Sequence, residues 1–252
     1  MFKKLYKSFL LLLAVIILLG AAFMLIVEVN FKVNYFVSVA NQYSMLPYIN
    51  SSLFLQGYVY DENDKDKPGD TLIVEYKSNY KLGDVVASKV SWPIIGNAHI
   101  VKRLVGLPGD KLKIEEHSSV LGSEFWLVVN DKIVYKKPEK ELIGYSTKEG
   151  EVNKPLYINN RTTYEEYLVF LNSEEAKANG NVFDDGLGGK CIVLKENEYF
   201  LLGDNWQDSY DCMDVKKPIR FENLNGAVAA KVDYTDNIKW ELFKNSYKLF
   251  FS

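Results

Sequence analysis

Cysteine and histidine are nearly missing from this chain, whose 252 residues hold two of each: Cys191 and Cys212, His99 and His117. Two thiols and two imidazoles without paired spacing do not make a zinc site, which draws its ligands from closely spaced pairs. Neither thiol stands in a Cys/His motif of the kind that activates a sulfur nucleophile. In an oxidising compartment the two cysteines are able to pair; equally, Cys191 is a small hydrophobe opening the apolar run Cys191-Ile192-Val193-Leu194. An excess of either charge is missing too: 30 Lys and Arg face 33 Asp and Glu, a net charge of -3. That balance offers no clustered basic surface for nucleic acid. No internal repeat is visible, and nothing in the sequence calls for a metal or a cofactor.

What the chain does have is apolar mass, 48% hydrophobic and 14% aromatic, enough for a substantial core. Phe9 to Val27 carries no charge, and a helix of that length spans about 28 Å, close to the ~30 Å hydrocarbon core of a bilayer. The apolar core of a cleaved secretory signal is shorter, ~7 to 15 residues, and here Leu25-Ile26-Val27 continue past Gly20-Ala21-Ala22. Residues 9-27 are therefore expected to form a transmembrane anchor in a lipid bilayer. Lys3, Lys4 and Lys7 precede it and Glu28 follows, which places residues 1-8 in the cytoplasm and everything after the span outside.

Beyond the anchor the pattern is mainly β. Strands are expected from Phe31 to Val39, over Ser51 to Tyr60, over 71-76, 84-87 and 100-105, and from Lys111 to Ile114 after a Pro108-Gly109-Asp110 turn. Phe125 to Val129 and Lys132 to Tyr135 read as a hairpin across Asn130-Asp131. The charged stretch from Asp61 to Asp70 reads as a solvated loop, and Asp184-Asp185-Gly186 as a turn. The one convincing soluble helix begins at the capping-box pattern Thr162-Thr163-Tyr164-Glu165. It places Tyr164, Tyr167, Leu168 and Leu171 on one face and ends at Gly180. Strands resume over Ile192 to Leu194, Glu198 to Leu202 and Asn225 to Tyr234. The organisation expected is a core of residues 28-114 and 191-235, an inserted α+β subdomain over 115-190, and a tail over 236-252. The tail mixes aromatics and lysines, and lies either at the membrane surface or on the domain.

Three short motifs carry the chemistry. Ser44-Met45-Leu46-Pro47 follows the first strand; Lys102-Arg103-Leu104-Val105-Gly106-Leu107-Pro108-Gly109-Asp110 runs from a strand into a turn; and Gly203-Asp204-Asn205 leaves an apolar strand, with Ser209 and Asp211 beyond. A serine hydroxyl is a weak nucleophile unless a base takes its proton, and a lysine is such a base only where burial makes its charged form costly. Ile100 and Leu104 would share the Lys102 face of a strand, supplying that apolar environment. By the same parity His99, the rival base, faces the opposite side.

In this order behind a membrane segment, the motifs resemble those of bacterial type I signal peptidase, Ser-Met-x-Pro, Lys-Arg-x-x-Gly-x-Pro-Gly-Asp and Gly-Asp-Asn-x-x-x-Ser-x-Asp. The resemblance covers roughly residues 10 to 115 and 198 to 235. It implies a signal-peptidase-like β catalytic core and a serine endopeptidase that removes signal peptides from secretory preproteins with small residues before the cut. Ser44 would be the nucleophile and Lys102 the general base, with Ser209 orienting the lysine. The Ser44 N–H and Gln42 would lie at the oxyanion. Arg103 and Asp204 would tie the two later motifs together, with Asn205 and Asp211 in support and Val37, Val39 and Met45 walling the substrate pockets.

The chain departs from the family at Gln42 and Tyr48, where small residues are usual, and at Cys212-Met213, where the family generally has Ser-Arg. Two other readings follow: a processing peptidase with one dedicated substrate, or a catalytically impaired, membrane-anchored binding protein. The family arginine that holds Asp211 is replaced by Met213, and Arg220 is the cation expected to take its place.

Overall fold

The computed structural model describes residues 2–39, 43–45, 49, 70–119, 122–135, 161–178, 180, 182–184, 186, 189–204 and 209–232. The strand expected over 51-60, most of the charged loop after it and the tail over 236-252 lie outside the described residues, as do Gln42, Tyr48 and Asn205.

The long apolar run forms helix α1 (Phe2–Asn34), which is long and apolar enough to cross a membrane and leaves nearly all its large side chains exposed. It runs further than the sequence pattern predicts. Alternating residues from Phe31 favour a strand, yet strand β1 (Tyr35–Val39) starts only after Asn34. Its ladder partner β2 (Thr71–Glu75) reaches no further than Glu75, opposite Tyr35. Among the described residues no strand pairs with residues 31 to 34 along their length, so helical hydrogen bonds serve their backbone, apart from the Asn34 carbonyl, which accepts the Tyr76 N–H. A Glu28–Lys32 ion pair at 2.8 Å and stacking of the Phe31 and Tyr35 rings accompany the last turns.

After a 3-10 turn at Tyr43–Met45 and β2, the chain forms β3 (Val85–Trp92), β4 (Gly96–Gly106), β5 (Lys111–Ser119), β6 (Gly122–Val129) and β7 (Lys132–Tyr135). Helices α2 (Arg161–Leu171) and α3 (Glu174–Ala178) follow, then β8 (Val182–Asp184), β9 (Lys190–Val193) and β10 (Glu198–Leu202). The chain continues through α4 (Cys212–Val215), β11 (Ile219–Arg220) and β12 (Leu224–Val232). All pairings are antiparallel, in a seven-stranded sheet ordered β1-β2-β12-β3-β4-β10-β11 and a five-stranded sheet ordered β7-β6-β5-β9-β8. The protein is mainly β.

Strands β3 and β4 are each longer than their apolar segments predict. Polar positions extend them as a hairpin, with Lys89 opposite His99 and Ser91 opposite Asn97. The β6–β7 connection is the tight turn its residues favour: Asn130 and Asp131 both take positive φ, 49° and 60°, the geometry that matches the twist of paired strands. The soluble helix stops at Leu171, and a separate short helix carries the chain toward Gly180, which has φ of 70°. Neither α3 nor α4 is anticipated by sequence periodicity, because four or five residues are too few to show a helical repeat.

Buried Tyr167, Phe170 and Leu171 of α2 pack with Leu112, Leu127 and Ile192 of the small sheet and with Phe200 and Leu201 of β10. At about 1.5 to 3 kcal/mol for each large apolar side chain removed from water, this contact joins the two sheets far more firmly than any surface ion pair. A second cluster, Met45, Ile49, Leu72, Val74, Val85 and Ala87, lies under the 3-10 turn. The two cysteines are both buried and are not joined in a disulfide. The Cys191 Sγ donates to the Phe183 carbonyl and the Cys212 Sγ accepts from the Leu201 N–H, so of the two sequence readings the small buried hydrophobe is the one found.

Candidate active site

Strand order brings the motifs together. β10 pairs with β4, placing Leu202 opposite Arg103, so the turn that leaves β10 opens beside Lys102. The 3-10 turn that carries Ser44 lies against β4. Gly203 is the contact point among the three: a Cβ there would stand 2.4 Å from the Ser44 carbonyl oxygen and 2.2 Å from the Ser209 Oγ. Only a residue without a side chain permits that approach.

Ser44 and Lys102 are both buried, and both line one cleft of about 520 Å³ together with Val37, Val39, Met45, Ile100 and Tyr210. The Lys102 Nζ donates to the Ser209 Oγ at 3.0 Å. Burial brings the Lys102 ammonium down from 10.5 to about 8, while Asp211, Asp214, Cys212 and Asp204 oppose the fall. Desolvation thus outweighs four groups that favour the charged form. His99 also lines the cleft, at its exposed rim and 3.5 Å from the Asn225 amide. Strand parity alone therefore does not keep it out of the cleft; what distinguishes the two residues is burial and the hydrogen bond to Ser209.

Ser209 donates in turn to the Asp211 Oδ2 at 2.6 Å, and the same oxygen accepts the Gly203 N–H at 3.0 Å. The other oxygen accepts the Met213 N–H at 3.1 Å, where Asp211 caps α4. Asp211 is 5% exposed and these bonds leave it no need of an arginine. The expectation for Arg220 is accordingly overturned: it faces solvent, 73% exposed, beside Glu222 at 3.8 Å. Backbone and hydroxyl donors reach the carboxylate within its own turn, whereas β11 pairs with the far end of β10 and sets Arg220 opposite Glu198.

Arg103 meets Asp204 in a two-pronged pair, Nε to Oδ1 at 2.7 Å and Nη2 to Oδ2 at 2.6 Å, and its Nη1 donates to the Gly83 carbonyl. Val37 and Val39 lie on the cleft wall, half-buried, while Met45 is 2% exposed and belongs at once to the wall and to the core beneath it. Met213 and Cys212, the departures from the motif, are buried core residues.

Sequence reasoning places Gly203 in a motif without giving it a role of its own, and misses Asp214, Tyr210 and Asn225. Gly203 was available from its place between an apolar strand and a polar turn. Asp214, which burial and the Asp211 carboxylate push up to about 6, becomes visible only once α4 is known to exist. Tyr210 reaches the cleft from the turn before α4, its ring against Trp92 of β3, and Asn225 from β12 paired with β3; no local pattern reports either.

The family model and the curated relatives agree on one family. A family described as "Signal peptidase, peptidase S26" matches residues 7–232. The chain is similar to signal peptidase I of Bacillus amyloliquefaciens, 26% identical over 149 residues, 59% of this chain and 56% of that protein. It is also similar to signal peptidase I of Rickettsia akari (strain Hartford), 27% identical over 159 residues, 63% of this chain and 53% of that protein. The chain spans about half the length of these curated relatives. A crystal structure of a signal peptidase I from Enterococcus faecalis V583 aligns with 60% of this chain and 97% of that one, at 16% identity and a TM-score of 0.30.

Proposed function

This chain belongs to the signal peptidase family, peptidase S26, and on that premise we propose that it is a membrane-anchored serine endopeptidase that removes signal peptides from secreted preproteins. Ser44 is the nucleophile and Lys102 the general base. The observation that carries this reading is a lysine only 3% exposed, with its proton affinity brought to about 8, in the same cleft as a buried serine.

The chemistry follows from the bonding of Lys102. The Ser209 hydroxyl donates its hydrogen bond to Asp211 and so accepts from Lys102. In neutral Lys102 one N–H is thereby committed to Ser209, and the lone pair is free to take the Ser44 proton. The Ser44 Oγ then adds to the scissile carbonyl carbon. The ammonium returns that proton to the departing amine as the peptide bond breaks, leaving an acyl-serine. Water attacks the ester, Lys102 accepting its proton, and the proton passes back to Ser44 as the acid leaves. The Ser44 N–H, with Gln42, is the proposed oxyanion donor set.

The apolar wall of Val37, Val39 and Met45 suits small side chains before the cut. Asp204 and Arg103 support the site by joining its two later motifs, Asp211 supports it by accepting from Ser209, and Asn205 is a proposed further support. The proposed organisation is residues 1-8 cytoplasmic, 9-27 in the membrane, a catalytic core over 28-114 and 191-235 outside it, a subdomain over 115-190 inserted in that core, and a tail over 236-252. An exposed apolar helix of the required length supports the anchor, and Lys3, Lys4 and Lys7 before it support the orientation.

The test is cleavage of a preprotein by membranes carrying the full chain. Ser44→Ala and Lys102→Ala should each abolish processing, with losses that do not add. A serine-directed covalent probe should label Ser44 in the parent chain. Normal processing by Ser44→Ala, or an unlabelled Ser44, would sink the peptidase reading. Depletion in cells distinguishes a general enzyme, where bulk preproteins accumulate, from one serving a single substrate.

A further inference from the structure

Asp214 takes no part in the steps above, yet it is joined to them. Its Oδ2 accepts the Asp211 backbone N–H at 3.0 Å, closing a capping box in which the Asp211 carboxylate accepts from the first turn of α4. From Asp211 the series continues to Ser209 at 2.6 Å and from Ser209 to Lys102 at 3.0 Å. α4 is only four residues long. A helix that short does not sustain its own first turn, because nucleation is unfavourable. The cap therefore holds both the helix and the angle at which Asp211 meets Ser209. Two residues beyond Asp211 stands Met213, apolar and 2% exposed, so no cation reaches the carboxylate from that position.

We infer that Asp214 is a positioning residue for the Lys102 base, fixing Asp211 and, through it, the orientation of Ser209 and of the lysine amine. The inference rests on the reading of the chain as a Ser44/Lys102 peptidase. Charge acts in the same direction as geometry. Asp214 favours the ammonium form of Lys102, together with Asp211, Cys212 and Asp204, against the burial that disfavours it. Asp214 is acted on by the Asp211 carboxylate of its own segment and by Lys102 of β4; Asp204 at the exit of β10 and Cys212 of α4 act on Lys102 in turn, and Tyr167 of α2, which packs on α4, is acted on by Cys212.

The experiment compares the full chain with Asp214→Asn and Asp214→Ala, following kcat and kcat/KM against pH on a peptide with Ala before the cut. An amide oxygen still accepts the Asp211 N–H but carries no charge. Asp214→Ala should lower kcat several-fold at high pH, where Lys102 is neutral, with KM unchanged, and Asp214→Asn should recover most of it. Both should move the acid limb to lower pH, since a lysine that has lost a neighbouring anion gives up its proton more readily. Profiles of both variants superimposed on the parent's would overturn the inference, and so would a loss of thermal stability alone. If Asp214→Ala does not fold, Asp214→Asn carries the test. If the parent itself shows no Ser44-dependent cleavage, the peptidase reading has failed, and NMR titration of the Lys102 ε-methylene decides this inference separately. A lower midpoint in Asp214→Asn supports it; an unchanged midpoint rejects it.

Discussion

The Gly203 α-carbon lies so close to the Ser44 carbonyl oxygen that an added Cβ would stand 2.4 Å away, and the Ser209 side chain closes on the same point at 2.2 and 2.6 Å. The backbone carbonyl cannot move without moving Ser44. Gly203→Ala should therefore lower stability by about 1 to 3 kcal/mol, the usual cost of overpacking a filled interior, and abolish labelling of Ser44 by a serine-directed probe. A thermal midpoint and labelling yield equal to the parent's would show that the approach is not tight.

Arg103 and Asp204 offer a second measurable coupling. Their two parallel hydrogen bonds hold side chains only 26% and 12% exposed. A double-mutant cycle of Arg103→Ala and Asp204→Ala, read by thermal unfolding, should give a coupling of about 1 kcal/mol. Arg103→Lys should recover little of it, because an ammonium lacks the planar fork. Additive single-mutant losses would count against the tie.

Lys102 links activity to stability with a definite sign. Its proton affinity is lower in the folded chain, about 8 against 10.5, so between those values the unfolded chain binds more protons and stability rises with pH. Below about 8 the fold carries a cost on the order of 3 kcal/mol, at about 1.4 kcal/mol per pKa unit. Lys102→Met should remove that rise from the pH dependence of the denaturation midpoint while abolishing cleavage. In the parent, kcat/KM should fall on the acid side of about 8. An acid limb near 6, unmoved by Lys102 variants, would identify another group as the base.

Arg220 and Asp211 should separate cleanly. Arg220→Ala removes an exposed side chain 3.8 Å from Glu222 and should leave activity and stability within about 0.5 kcal/mol of the parent. Asp211→Ala strips the cap from α4 and the acceptor from Ser209 and Gly203, and should cost about 2 kcal/mol or more as well as most of the activity. Comparable effects of the two substitutions would revive a role for the arginine.

How much of this could be read from the chain varied with the range of the interaction. The β6–β7 turn follows from Asn130 and Asp131 themselves, and the Lys102 strand from its own apolar neighbours. The end of α1 does not: Phe31 to Asn34 alternate like a strand, and only the extent of β2 decides that they stay helical. Arg220 is the plainest miss. Its planar fork makes it the natural cation for Asp211 over the nearer Lys216 and Lys217, but a carboxylate at the start of a helix draws its donors from the turn it caps. The signal for that, a lone Asp211-x-x-Asp214 spacing, is too short to stand out against an irregular loop.

One consequence comes from the junction of α1 with β1. Asn34 ends the helix, Tyr35 begins the strand, and the Tyr76 N–H binds the Asn34 carbonyl at 2.8 Å, so no slack separates the two elements. β1 is also a wall of the cleft, through Phe36, Val37, Ser38 and Val39. With α1 seated in a bilayer, the cleft wall is then the direct extension of the rod that pins it, and its height above the lipid is set like a depth stop. On the proposed peptidase reading, the point at which a membrane-held chain is severed follows how deep the helix sits, and bilayer thickness becomes a variable in where the cut falls.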